Sequence, residues 1–148
     1  MKFNHILLTT DLSDESKRAF APTVELALAH NGRLTLLHVV QDVRIAPHGA
    51  PLAPPVSDPD VFDLLESARK LLVEERELLD SSLRVNCEVI PGSNIGETVA
   101  EYANENDVDL ITMSTHGRTG FRRLVLGSVA ESILHYAHVP VLCFPQPE

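Results

Sequence analysis

No apolar run in this sequence approaches the ~20 residues that a helix needs to cross a bilayer, so no spanning segment is expected. The first residues, MKFNHILLTT, lack the long apolar stretch and small-residue cleavage site of a secretory signal. The expected location is therefore the cytoplasm. Cysteine is scarce. Cys87 and Cys143 sit in apolar strand-like runs with no histidine or cysteine at metal-binding spacing, which reads as two reduced core thiols. Basic residues are few, 12 against 21 acidic ones, for a formal net charge of −9. That balance argues against nucleic acid, whose phosphates need a basic surface. The exception is a local cluster, Arg118, Arg122 and Arg123, which an anion could use. Missing too are the two glycine-rich phosphate motifs, GxGxxG and GxxxxGK[ST].

What is present is an alternation of strand and helix patterns across 148 residues. Residues 3–9 form a short apolar run suited to a buried strand. A helix is expected from near Ser13, with Asp14 and Glu15 in its first turn and Phe20, Val24, Ala27 and Leu28 as its buried stripe. Pro22 lies inside that stripe and should bend the helix or remove one of its hydrogen bonds. Asn31-Gly32 ends it, and residues 33–40 read as the second strand. Residues 41–59 carry five of the ten prolines and no periodicity, the pattern of a long surface connection.

A helix then starts at Ser57 or Asp58, with Pro59 at its first position and Val61, Leu64, Leu65, Ala68, Leu71, Leu72, Leu78 and Leu79 as its inner face. Val85, Cys87 and Val89 alternate as a third strand closed by Pro91-Gly92. Asn94 with Glu97 suggests a capping box for a helix striped by Ile95, Val99, Tyr102 and Ala103. Residues 108–114 and 139–144 are the fourth and fifth strands, and Ser128 with Glu131 suggests a second capping box between them. This alternation predicts an α/β fold: one domain over residues 1–148, with a five-stranded parallel sheet and helices on both faces; the strand order expected of it is 3-2-1-4-5. Crossovers should be right-handed.

In such a sheet ligands bind beyond the carboxyl ends of the strands, where the order reverses. The turn after strand one, Thr9 to Ser13, has no glycine to let backbone amides approach phosphate. The segment after strand four does, with Gly117, Gly120 and Gly127. Gly127-Ser128 also opens a helix, whose free amides and dipole attract anions. Spacing alone leaves phosphate binding and an ordinary strand-to-helix loop as equal alternatives.

The run MSTHGRTGFRRLVLGSVAESILHYAHVPVLCF resembles the C-terminal signature of the universal stress protein family, and HILLTTDLSDES, LTLLHVV and DVDLITMSTHG agree with it. The resemblance covers nearly the whole chain outside the proline-rich connection. The family's nucleotide motif is Gly, two residues, Gly, nine residues, Gly, then Ser or Thr. Gly117, Gly127 and Ser128 match it, while Ser114 stands at the first glycine and its Cβ narrows the approach to a ribose. The resemblance to the ATP-binding branch implies a Rossmann-like site for ATP, with a magnesium ion able to bridge the phosphates. It places Asp11, with Thr10 beside it, at the ribose and adenine. It gives Val39 a backbone contact to adenine, sets Met113 and Ser114 along the nucleoside, and puts Gly117, Arg118, Gly127, Ser128 and Val129 at the phosphates. It also implies a homodimer through the fifth strand.

Other readings compete at single residues. A receiver domain would need an acceptor aspartate after strand three and a lysine after strand five; strand three ends in Pro91-Gly92, and the lysines are Lys2, Lys17 and Lys70. A DxD phosphatase motif is absent because Ser13 takes its second position. His116 beside Gly117 could act as a general base, but no carboxylate near it in sequence would orient it, and a loop histidine is the plainer reading. His38 reads as a strand residue with a satisfied ring, and His135 and His138 as a pair without a third metal ligand. The expected function is ATP binding as a regulatory act, with hydrolysis slow if it occurs. The alternatives are a nucleotide-free dimeric interaction module of the same fold and a hydrolase using His116.

Overall fold

The computed structural model describes residues 1–42, 58–115 and 126–145. Five strands, β1 (His5–Thr9), β2 (Arg33–Gln41), β3 (Val85–Gly92), β4 (Leu110–Ser114) and β5 (Val141–Phe144), form one sheet in the order β3-β2-β1-β4-β5. All four pairings are parallel. Four helices follow the strands: α1 (Phe20–His30), α2 (Asp58–Arg76), α3 (Ile95–Glu105) and α4 (Ser128–Tyr136). The chain steps outward from β1 to β2 to β3, then returns across β1 to add β4 and β5, so the order reverses between β1 and β4.

Strand β1 is central and buried on both faces, with Ile6, Leu7 and Leu8 fully enclosed. Alternation sends its side chains two ways. Ile6 and Leu8 join Phe20, Ala27, Leu36, Ala68 and Leu72 in a core beneath α1 and α2. Leu7 joins Leu37, Val39, Val99, Met113 and Ile133 beneath α3 and α4. Burying a side chain of this size stabilises the fold by about 1.5–3 kcal/mol relative to leaving it exposed.

The first helical stretch differs from expectation. A 3-10 turn spans Ser16–Ala19, and the α-helix begins only at Phe20. Pro22 therefore falls in the first turn of α1, where backbone amides have no intrahelical acceptor to lose, and the expected bend has no cause. Asn31 ends α1 at φ 52°, and Gly32 N–H bonds to the Ala27 carbonyl at 2.9 Å. Leu28, expected inside, is 45% exposed. Strand β3 includes Pro91 and ends at Gly92, so the pair closes the strand as its last two residues. It is an edge strand, where a missing N–H on the open side costs the sheet nothing.

The inner face of α2 also needs correction. Ala68, Leu72 and Leu79 are buried, but Leu64, Leu71 and Leu78 are exposed, and Glu75 takes an inner place instead. Leu64, Leu71 and Leu78 are seven residues apart, a line that drifts about 20° per heptad on a straight helix. That line runs along the margin of the buried stripe, and Leu78 lies past the last helical residue. The Asn94 cap is as expected: Glu97 N–H donates to Asn94 Oδ1 at 3.2 Å. The second capping box is not formed. Gly127 is the N-cap of α4 and Ser128 is its first residue, so the Ser128 hydroxyl is one position too late to cap. Most of the proline-rich connection lies outside the described residues.

Candidate functional site

The reversal between β1 and β4 opens a crevice beyond their carboxyl ends, and the described candidate residues converge on it. Thr10 and Asp11 follow β1, Ser114 ends β4, and Gly127, Ser128 and Val129 open α4. Val39 and Met113 are both buried, with side chains in the core beneath α3 and α4. The Val39 side chain is thus taken up by the core. Leu37 C=O accepts from Thr10 N–H at 3.0 Å, where pairing with β1 ends. Two residues on, the Val39 amide and carbonyl point to the same side, past the end of β1. Gly117 and Arg118, with His116, lie outside the described residues.

The turn after β1 is held by its own side chains. Asp11 Oδ1 accepts from Ser13 N–H at 3.0 Å and from the Ser13 hydroxyl, the Asx-turn geometry that aspartate favours. Asp11 Oδ2 makes no hydrogen bond among the described residues. Leu12 sits at φ 64°, a left-handed conformation that costs a branched residue roughly 1–2 kcal/mol. Its amide donates to Thr10 Oγ1 at 3.0 Å. Ser16 Oγ donates to the Ser13 carbonyl at 2.7 Å and lies 2.9 Å from Thr10 Oγ1. Two other elements reach the turn. His38 Nδ1 is 2.9 Å from the Thr10 carbonyl oxygen, to which it donates, and Glu75 Oε2 is 2.8 Å from Thr10 Oγ1.

Glu75 was not legible as part of this region. It is 5% exposed, and its Oε1 is buried without a hydrogen-bond partner. Burial pushes its carboxyl above the usual range, opposed by the hydrogen bond with Thr10 and by the Lys17 ammonium, and aided by Asp11 and Asp14. Its only signal in the sequence is a place on the apolar stripe of α2, between Leu72 and Leu79.

At the other wall, the first amides of α4 have no intrahelical acceptors, and the helix dipole favours an anion there. Gly127 has φ −66° and ψ 156°, open to any residue, and an added Cβ would meet only the Thr115 carbonyl oxygen, at 3.4 Å. Neither backbone nor packing in the described residues requires glycine at this position. The Ser128 side chain is exposed and makes no hydrogen bond among the described residues.

The remaining candidates fall away from the crevice. His135 stacks edge-on against Tyr136 with ring centroids 4.7 Å apart, and His138 lies beyond the end of α4. No group of three or more histidine, cysteine, aspartate or glutamate side chains able to hold a metal occurs among the described residues. Cys87 and Cys143 are free and half-buried, and burial raises both thiols. No described helix is long and apolar enough to cross a membrane.

Comparisons with known proteins agree with this architecture. The universal stress protein A homolog 1 of Coxiella burnetii is 32% identical over 145 residues, 96% of this chain and 96% of its own length. The structure of the universal stress protein UspA from Lactobacillus plantarum superposes with a TM-score of 0.75 at 26% identity, covering 97% of this chain and 99% of that one. The structure of the universal stress protein from Archaeoglobus fulgidus in complex with dAMP superposes with a TM-score of 0.59 at 18% identity, over 97% of this chain and 98% of that one. The family model for the universal stress proteins matches residues 2–145, and the chain belongs to that family.

Proposed function

We propose that this protein binds an adenine nucleotide, ATP foremost, in the crevice between β1, β4 and the start of α4, and that binding is a regulatory act. The observation that carries the reading is the pairing of two unassigned groups across the crevice. Among the described residues Asp11 keeps one carboxylate oxygen without a hydrogen bond after its turn is made, and α4 begins at a glycine that the described structure does not require. A carboxylate oxygen suits a ribose hydroxyl, and helix amides suit phosphate. The Val39 backbone, past the end of β1, would supply the remaining complement, an amide and a carbonyl for adenine. The dAMP held by the Archaeoglobus relative supports the same ligand class.

Thr10, Met113, Ser114, Val129 and the motif residues Gly117 and Arg118 complete the proposed site. Magnesium would bridge the phosphates, with the protein holding the nucleotide rather than a dedicated metal cage. Any hydrolysis is proposed to be slow, in keeping with a regulatory role. The proposed assembly is a homodimer through β5. Mass analysis of nucleotide released by denaturing freshly purified protein, followed by calorimetry with ATP and AMP, tests the reading. Recovery of adenine nucleotide with micromolar or tighter affinity is expected. Nucleotide-free protein that fails to bind either ligand would leave the dimeric interaction module in its place.

A further inference from the structure

The hydrogen bonds around Thr10 require one more proton than its hydroxyl neighbours can provide. Ser16 Oγ has a single hydrogen, and it goes to the Ser13 carbonyl, which can only accept. The 2.9 Å contact between Ser16 and Thr10 must then use the Thr10 hydrogen. Leu12 N–H occupies one Thr10 lone pair. What remains on Thr10 Oγ1 is a single lone pair, and Glu75 Oε2 lies 2.8 Å from it. A carboxylate there would set two acceptors face to face.

We propose that Glu75 is a neutral carboxylic acid in the folded protein, and that its O–H donates to Thr10 and latches the Asp11 turn in the shape the nucleotide site needs. With that proton every hydroxyl in the cluster is satisfied: Glu75 to Thr10, Thr10 to Ser16, Ser16 to the Ser13 carbonyl. The neutral acid also accounts for Glu75 Oε1, buried without a partner. An ionised oxygen left so would carry a far larger desolvation cost than an acid carbonyl. Burial, the largest influence, acts in the same direction on the carboxyl, and a hydrogen donated by Thr10 would act against it. The charged groups bearing on Glu75 are Lys17 from the 3-10 turn, which favours ionisation, and Asp11 and Asp14 from the β1 turn, which oppose it. Lys17 is drawn away by its ion pair with Asp14 at 2.8 Å.

The latch matters because the turn is not self-sufficient. Leu12 is held at φ 64° beside Asp11, and the bonds within the turn all pass through residues 10–16. Glu75 comes from α2, 65 residues away, and fixes the hub of that network to the helix layer. Ionising it removes its hydrogen, so the Thr10 hydroxyl can serve Glu75 or Ser16 but not both, and the turn that carries Asp11 loses one of its contacts. Glu75 is thus a positioning residue. The consequence for ligand rests on the nucleotide reading of the crevice; the protonation state does not.

A carbon-13 NMR titration of the apo protein tests the protonation directly, with the Glu75 carboxyl assigned by its absence in Glu75→Gln. The signal is expected to stay in the acid form well above about pH 4.3, where exposed glutamates ionise. Ordinary titration with the exposed glutamates would overturn the proposal. Because the folded-state value is raised, wild-type stability should fall as pH rises from about 4.3 through that value. Glu75→Gln keeps a donor and cannot ionise, so its melting temperature should gain on wild type over the same rise; a constant gap would count against the latch. ATP affinity of wild type should weaken by about tenfold across the Glu75 titration, the loss of one buried hydrogen bond, while Glu75→Gln stays level. Parallel affinity profiles would overturn the positioning role. If neither protein binds ATP, the nucleotide reading falls while titration and melting still judge Glu75. Should Glu75→Gln not fold, Glu75→Met, of similar volume, replaces it in both the assignment and the melts.

Discussion

Gly96 is packed so closely on Ser132 that a Cβ at position 96 would stand 2.5 Å from Ser132 Cβ and 2.7 Å from the Val129 carbonyl oxygen. The same contact is tied by Ser132 Oγ, which donates to Asn94 Oδ1 at 3.1 Å. The N-terminal turn of α3 therefore sets where the first turn of α4, and its free amides, stands relative to the sheet. Gly96→Ala should destabilise the fold by about 1–3 kcal/mol, the range for overpacking a filled interior. It should also weaken ATP binding by displacing Val129. Urea denaturation with parallel calorimetry measures both; an unchanged midpoint would mean the helices part without cost.

Gly127 presents the opposite case, since its surroundings leave space for a side chain. Gly127→Val should fold with a melting temperature close to wild type. Its branches would stand where phosphate meets the α4 amides, so ATP binding should be lost. A folded valine variant with unchanged ATP affinity in calorimetry would move the phosphates elsewhere.

This contrast shows what the sequence could convey. The existence and type of the strands and helices followed from apolar patterns of different period, which depend on local repetition. Asp11, Gly127 and Ser128 could be singled out in the sequence because each stands at an element boundary, where the structure also has them. Glu75 was not, since a charged residue on an apolar stripe looks like an interruption until Thr10 is found opposite it, 65 residues away. Leu64, Leu71 and Leu78 failed for a related reason. Apolarity marks a stripe, but the curvature and width of the contact decide how much of it is covered. Ser128 with Glu131 had the spacing of a capping box, and the helix simply began one residue earlier than that box requires.

His5 offers a test on the acid side. Its ring is buried, with Nε2 2.8 Å from Thr35 Oγ1 and Nδ1 3.1 Å from the Asn106 carbonyl oxygen. Burial, and then the Arg33 guanidinium beside it, lower its affinity for a proton. The folded state thus binds fewer protons than the unfolded chain just below about pH 6.5. Stability attributable to His5 is complete above that value and declines as pH falls through the lowered one. Wild type should lose melting temperature on acidification more steeply than His5→Gln, and an NMR titration of the His5 ring should give a midpoint below 6.5, the ordinary histidine value. Equal slopes, or an ordinary midpoint, would contradict the buried neutral ring.

Among the described residues strand β5 pairs only with β4, so its other edge offers amides and carbonyls that a second chain can extend. Pro140 and Pro145 flank the strand without entering it. Val141 and Cys143 turn inward against the α3 and α4 core, while Leu142 is 38% exposed. A charge at Val141 would injure the core as well as the edge, so Leu142 is the cleaner probe. We expect a homodimer formed by antiparallel pairing of two β5 strands across a two-fold axis. Leu142→Asp should yield folded monomers, because each copy would bring a like charge to the seam. Sedimentation at micromolar concentration reads the outcome, with melting curves to show that the variant is folded. A monomeric wild type, or a variant that sediments as a dimer, would place the interface somewhere other than β5.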